Sequence, residues 1–519
     1  MSQVKPSILA PNALVNLSVG QWVRTDLVNP GATSSFEQSA GQIYLDKNAL
    51  IDVSGSVGVE VPVSQNIITV QLRGAELAGS PLQRLDSSNL RGKTVSVDIR
   101  DAGIYQQEMW RGTPLADLSG FIGLIQKGVG QLTVAGGSVN ISSGESVVMQ
   151  AGSKINVSGG SIKYLEGAVK TTQLISKGRL IDISKALPNE SYDGVFNSSS
   201  VNSRTKWSFT QNYKNPLAPD GSRIEKDSIS GAAGGSLTIN SPAMALDGEL
   251  VGQTFNGERQ RITPAAATVL RLNFLADDIR VPTNIVSFSP TPPNIIFQSN
   301  AVQQAAAPFV LGTTGDPETL NLDRKETIFL SPQLLTTGGF GILDINNNDG
   351  NISIPAGVDL TGQVGGSITL RASNIDVNGS MTVAGGTISL STYNYTLDTI
   401  NTLGRSSGAS QPATIGRGIF TLGATGRLST AGLLVDDRPG VRSRGTLPLA
   451  LAGGTVKIEG YSANLSAGGV IDVSGGAAVA ANSALTYGNA GKISIATGRE
   501  IGSSITLGGT LQLGATLRG

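Results

Sequence analysis

Carboxylates, hydroxyls and the cations of Lys and Arg are the reactive side chains here, because the chain contains neither histidine nor cysteine. Without imidazole it lacks the common general base near neutral pH, the Ser-His and Cys-His pairs, and the commonest zinc ligand. Without thiols it forms no disulfide, which is compatible with passage through an oxidising compartment. A pair of carboxylates ~5–9.5 Å apart could hydrolyse a glycosidic bond. The recurring Asp52, Asp182, Asp376 and Asp472 are the natural candidates, with Asp277-Asp278 and Asp436-Asp437-Arg438 beside them. Those four lie far apart along the chain, and each belongs to a repeated pentapeptide that explains its position, so solvated turn or face residues are expected.

Other chemistry-bearing strings lack the context their chemistry needs. Gly404-Arg405-Ser406-Ser407-Gly408 fits G-x-S-x-G, but no apolar strand precedes it and no histidine exists to activate the serine. Ser203-Arg204-Thr205-Lys206 has Ser-Lys dyad spacing without companion motifs. Gly92-Lys93-Thr94 ends like a phosphate loop, yet Ser87 stands where the first glycine is required. Asp344-Ile345-Asn346-Asn347-Asn348-Asp349-Gly350 places oxygen side chains alternately, as calcium would want. Its glycine is one place late for an EF-hand and no bidentate glutamate follows, so a turn rich in Asx residues is expected. No catalytic, cofactor-binding or metal-binding residue is assigned.

The elements that must carry these residues are written as two repeated cassettes. Ile51-Asp52-Val53-Ser54-Gly55 returns as Ile155-Asn156-Val157-Ser158-Gly159, Ile375-Asp376-Val377-Asn378-Gly379 and Ile471-Asp472-Val473-Ser474-Gly475, with a short form at Ile181-Asp182-Ile183-Ser184. The second cassette, G-G-x-hydrophobic-x-hydrophobic, opens at Gly136, Gly234, Gly365, Gly385 and Gly453. Apolar and small polar residues alternate in both, which is the period of a strand with one face inward. Equivalent isoleucines taken as Ile368/Ile388, Ile471/Ile493 and Ile155/Ile181 give periods of 20, 22 and 26 residues. The expected fold is therefore all-β: a right-handed parallel β-helix, a solenoid of three-strand coils about 4.8 Å apart, with loop or subdomain excursions. Glycine (67 residues) and the predominance of small aliphatics over aromatics (5%) suit such a narrow interior.

On this reading residues 1–40 are an irregular N-terminal segment, and 41–184, 231–275, 350–391 and 449–519 are coils. Residues 185–230 form an aromatic-bearing excursion, 276–349 a proline-rich interruption, and 392–448 a Gly/Ser/Arg-rich excursion. Lys plus Arg and Asp plus Glu balance at 38 each, which leaves no electrostatic case for nucleic acid. No stretch reaches the ~18–20 apolar residues of a transmembrane helix, and no export signal is evident near Met1. The repeat-like end at Gly519 is expected to continue in a longer protein.

Several stretches resemble the central region of large filamentous-haemagglutinin-family exoproteins of Gram-negative bacteria. They are Leu90 to Val95, Gly112-Thr113-Pro114-Leu115, Ser119 to Gly123, the cassette from Gly136 to Gly160, Gly167 to Thr172, Gly178 to Ile183, Tyr192-Asp193-Gly194-Val195 and Gly257 to Arg261. The resemblance spans about residues 85–265; Asn29-Pro30-Gly31 does not match the family's N-P-N secretion motif. It implies a right-handed parallel β-helix, an outer-membrane transporter as partner in two-partner secretion, and a place at the bacterial cell surface or secreted from it. The expected function is the shaft of an adhesin whose host-cell or glycan receptor is unknown. Contact residues are expected on the two excursions, at Trp207, Phe209 and Tyr213 and at Arg438, Arg442 and Arg444. The alternative is a β-helix polysaccharide-degrading enzyme, a lyase or glycoside hydrolase, since a fold does not dictate chemistry.

Overall fold

A computed structural model describes residues 7–20, 22–24, 36–38, 41–85, 88–106, 108–197, 199–214, 222–274, 294–298, 324, 326–395, 412–441, 448–501 and 505–519. Strands make up 45% of it and helices 7%, so the fold is all-β. The chain divides into two compact units. The first comprises Met1–Val57, Thr133–Ser161 and Gly231–Gly519, and the second Gly58–Leu132 and Ile162–Ser230.

The first unit is built on a fourteen-stranded sheet. Its main path runs through Leu14–Val19, Ser138–Ser143, Ser236–Asn240, Val269–Asn273, Ile342–Ile354, Ser367–Val377, Thr387–Thr392, Thr455–Glu459 and Lys492–Ala496. Every pairing along that path is parallel, and the register aligns Val15, Val139, Leu237, Leu270, Leu343, Ile368, Ile388, Val456 and Ile493 in one row. A second row, two residues on, holds Leu17, Ile141, Ile239, Leu272, Ile345, Leu370, Leu390, Ile458 and Ile495. The internal members of both rows are fully buried, while their outward neighbours are mainly Ser, Thr and Asn. Alternation of period two thus places one aliphatic column per inward position. Shorter parallel sheets accompany it, one joining Ser7–Leu9, Leu50–Asp52, Lys154–Asn156 and Glu249–Val251 and another of five strands from Asp359–Thr361 to Thr516–Arg518.

The second glycine of each G-G cassette has a steric reason. A Cβ on Gly235 would come within 2.0 Å of the Gly137 carbonyl oxygen, and one on Gly454 within 1.9 Å of that of Gly386. Successive turns approach one another backbone to backbone at this corner, where no side chain fits. The I-D-V-S-G cassette is a different device. The backbone N–H of Ser54 donates to Asp52 Oδ1 (2.9 Å), that of Ser158 to Asn156 Oδ1 (3.1 Å) and that of Ser474 to Asp472 Oδ1 (2.9 Å). Each Asx side chain closes the turn that ends its strand.

Two of the three period pairs dissolve. Ile368 and Ile388 do face each other in register. Ile471 instead pairs Leu428 and Leu517 in the five-stranded sheet, whereas Ile493 pairs Val456. Ile181 is in the second unit, antiparallel to Leu174. Spacing along the main row runs from 20 residues (Ile368 to Ile388) to 124 (Val15 to Val139), because long insertions leave the stack and return.

Segment boundaries differ accordingly. Residues 1–40 contribute Ser7–Leu9 and Leu14–Val19 to parallel ladders, although Ala13 stands where a cassette glycine would mark a rung. The stretch 41–184 is interrupted at Gly58 by the second unit, which also takes in 185–230. The proline-rich stretch 276–349 supplies Asn294–Phe297, Thr327–Leu330 and the start of Ile342–Ile354, all paired in parallel. Residues 392–448 supply Ile419–Leu422 and Arg427–Ser429.

The second unit is largely antiparallel. Ile67–Gln71 pairs Thr94–Asp98, Gly167–Lys170 pairs Ser222–Glu225, Gln173–Ser176 pairs Arg179–Asp182, and Ser199–Arg204 pairs Phe209–Lys214. Val70, Leu72, Leu77, Leu90, Val97, Leu115, Leu174 and Ile183 are among the buried residues of its separate core.

Candidate functional site

None of the four recurring aspartates faces another. Asp52 lies in register with Leu9 and Asn156, Asp376 with Ser353 and Thr421, and Asp472 with Ser429 and Arg518. Asp182 is in the second unit, receiving hydrogen bonds from Thr171 Oγ1 (2.6 Å), Gln173 Nε2 (2.7 Å) and the Ser184 N–H (3.0 Å) and hydroxyl (2.8 Å). Burial opposes ionisation of Asp182, yet those donors, led by Thr171 and Ser184, hold its carboxyl below the usual range. Its oxygens are occupied in fixing a turn. These acids were expected to be solvated turn or face residues; three of them are turn residues, but half-buried ones that cap their turns.

The Asp344–Gly350 stretch is not a turn. It forms part of the thirteen-residue strand Ile342–Ile354, with a register shift between Asn347 and Asn351. Asp344 is salt-bridged to Arg371 and lies 3.7 Å from Arg271, and Asp349 pairs Arg417 at 2.6 Å. Both acids of the stretch are thus committed to arginine partners. Among the described residues no three acids are grouped as a metal site would require.

Sequence reasoning passed over the densest ionic cluster among the described residues, which lies in the second unit. Asp98, 0% exposed at its side chain, receives Arg100 in a two-point contact, Nε to Oδ1 at 3.0 Å and Nη2 to Oδ2 at 2.6 Å. The same Nη2 reaches the Glu225 carboxylate at 2.9 Å, and Arg223 stands 3.8 Å from both acids. The Arg100 side chain, 8% exposed, lies with its guanidinium carbon 5.4 Å from the centre of the Tyr164 ring. Burial works against the charge on Arg100, but hydrogen bonds to Asp98 and Glu225 outweigh it and raise its affinity for the proton. Arg100, with Arg223 beside it, balances the charge of the two carboxylates and fixes their geometry. The cluster ties Thr94–Asp98 to Ser222–Glu225. Its signal was present only as D-x-R and R-x-E, two short strings 125 residues apart.

The expected contact residues fall as follows. Trp207 is 74% exposed at the end of the short 3-10 turn Thr205–Trp207, which joins Ser199–Arg204 to Phe209–Lys214. Phe209 and Tyr213 lie on the second of these strands, in register with Arg204 and Ser200; their side chains lie outside the described residues. Arg438 is clamped locally by Asp436, Nη2 to Oδ2 at 2.6 Å and Nε to Oδ1 at 3.0 Å. Arg442 and Arg444, like Gly404 to Gly408 and Asp277-Asp278, lie outside the described residues. An exposed apolar pair was not anticipated: Ile104 and Met109 face each other across the hairpin Ala102–Tyr105/Glu108–Arg111. The alternation I-Y-x-x-E-M-W could have signalled it.

No family model, curated protein or solved structure matches this chain. Among the described residues no helix is long and apolar enough to cross a membrane.

Proposed function

We propose that this chain is a right-handed parallel β-helix shaft of a secreted, filamentous-haemagglutinin-like surface protein, and that it mediates attachment without catalysis. One observation carries the reading: aliphatic columns run unbroken through the parallel sheet of the first unit, with insertions of very different length returning to the same register. Such a stack is held by burial at ~25 cal/mol per Å² of apolar surface and leaves its insertions free to differ. Right-handedness follows the strong chiral preference of parallel crossovers. The likeness over residues 85–265 extends the proposal to export by an outer-membrane transporter and residence at the cell surface.

In this role the second unit is an inserted display module, and the hairpin carrying Trp207 is its foremost contact element. Deleting residues 199–214 should leave the far-ultraviolet circular dichroism β-rich while abolishing binding to a glycan array or to cultured epithelial cells. Binding equal to that of the intact chain would overturn the assignment to this hairpin. Incubation with polyuronates and glucans should release no new reducing ends; their appearance would favour the polysaccharide-degrading alternative.

A further inference from the structure

Glu500 stands apart from the other described acids of the first unit. Its residue is wholly buried, and its Oε2 accepts two successive backbone N–H groups, from Asn394 at 2.9 Å and Tyr395 at 3.2 Å, more than a hundred residues away. Asn394 is itself a junction. Its amide nitrogen donates to the carbonyls of Thr414 (3.0 Å) and Arg417 (2.8 Å), and its Oδ1 accepts from the Thr414 N–H (2.7 Å). Arg417 returns Nε to the Asn394 carbonyl (3.1 Å) and Nη2 to Asp349 (2.6 Å). On its own side Glu500 is held by its N–H to the Ile505 carbonyl (3.1 Å), beside the Arg499–Thr506 bridge.

We propose that the Glu500 carboxyl is a proton-operated clasp, closing the chain at Asn394–Tyr395 onto the bridged chain at Arg499–Glu500 in acid and loosening it toward alkaline pH. The geometry makes one carboxyl the fastening between two distant segments, in a place from which water is excluded. An ionised carboxylate there gives up its hydration, so the charged form favours any arrangement that opens the fastening. Among the described residues the charged and titratable groups around it are Tyr393, Tyr395, Arg417 with its partner Asp349, the adjacent Arg499, and the Asp344–Arg371 pair that acts on Tyr393.

Burial drives the Glu500 carboxyl up to about 7, against the lowering pull of the Asn394 and Tyr395 amides and of Arg417. In the open state it returns to the ordinary glutamate value of about 4.3. A group raised in the closed state stabilises closure fully below the open-state value, and that contribution is lost as pH rises through about 7.

The test is hydrogen exchange of the intact chain at pH 5.5 and 8.0, read by mass spectrometry after correction for intrinsic rates. Peptides covering 394–395 and 498–501 are the reporters and one covering Ile368 to Leu370 is the internal control. The native chain should protect the reporters about tenfold or more better at pH 5.5 than at 8.0, each pH unit between the two values giving up to a factor of ten. Glu500→Gln, which keeps an acceptor oxygen and cannot ionise, should protect them equally at both. Glu500→Ala should lose protection at both while the control peptide is unchanged. Equal protection of the native chain at the two pH values, or a pH dependence that survives in Glu500→Gln, would overturn the proposal.

Discussion

The two units solve the same problem with different materials. The first repeats one solution: a column of Val, Ile and Leu on each inward row, a bare glycine corner and an Asx-closed turn. The second builds a separate apolar core and adds a salt-bridged cluster, Asp98–Arg100–Glu225, almost out of water. A repeated fastening distributes its free energy over many equivalent contacts. A single ionic fastening concentrates it, so removing one member leaves an uncompensated buried charge. Damage to the stack is therefore expected to be steric, and damage to the inserted unit electrostatic.

The glycine corner is where the stack is least forgiving. Gly454→Ala would place a Cβ 1.9 Å from the Gly386 carbonyl oxygen and 2.8 Å from the Gly386 N and carbonyl carbon, and backbone rather than a side chain must move. We expect a loss on the order of 4 kcal/mol or more, read as a large drop in melting temperature of the first unit. Gly357→Ala is the matched control: its φ of 81° strains any side chain, but nothing lies within 4 Å of the new methyl. Its loss should be about 1–2 kcal/mol. Equal effects would show that the crowding of successive turns costs no more than one strained φ, and would remove the steric reason for glycine in the cassette.

In the second unit Asp98→Asn should cost about 3–5 kcal/mol, because Arg100 keeps its charge and its burial. Limited proteolysis should show cleavage rising within residues 58–132 and 162–230 only. Replacing Asp98, Arg100 and Glu225 together by Leu, Met and Leu should recover much of that loss. A triple variant no better than Asp98→Asn would mean that the cluster contributes geometry which apolar packing cannot supply.

The contrast also fixes what sequence reading could reach. The ladders were legible because their cause is local: alternation, a glycine where the next turn crowds, an Asx residue where the strand must end. The I-D-V-S-G copies nevertheless fall into different sheets, Ile51 and Ile155 in one, Ile375 in the long sheet and Ile471 in the five-stranded one. The pentapeptide encodes how a strand ends and not which column it joins, so periods measured between its copies misled. The short copy at Ile181 uses the same Asx closure inside an antiparallel pair. The second unit was illegible for the opposite reason. Asp98, Arg100 and Glu225 are unremarkable residues until a contact across 125 positions brings them together.

Acid separates the turn-closing aspartates from the buried glutamate. Burial opposes ionisation of Asp472, but Ser474 and Arg518 hold its carboxyl below the usual range, as Thr171, Ser184 and Gln173 do for Asp182. A depressed group contributes stability that is present above its unfolded value, near 3.9, and is lost as pH falls through the lower folded one. Below pH 4, hydrogen exchange should quicken around Ser184 and Ser474 while the Asn394–Tyr395 reporters stay protected. Asp472→Ala should remove the response at Ser474, at about 1 kcal/mol, the size of a lost side-chain cap. Loosening of all three sites together would point to global acid unfolding and dissolve the distinction.

The smallest effects belong to the surface, where the two units should behave alike. Arg438 is fastened to Asp436 two residues away, and both side chains face solvent, so their attraction competes with water and salt. Arg438→Ala should leave the melting temperature of the first unit unchanged within error. Trp207→Ala should do the same for the second, because its indole is already mostly in water. Their effects on attachment should differ, however. The guanidinium of Arg438 is engaged at home and must give up Asp436 to grip a ligand, whereas the indole can cover one with little desolvation of charge. Trp207→Ala should therefore weaken binding to the glycan array or cell surface, and Arg438→Ala should not. The reverse order would move the contact face from the inserted unit to the stack.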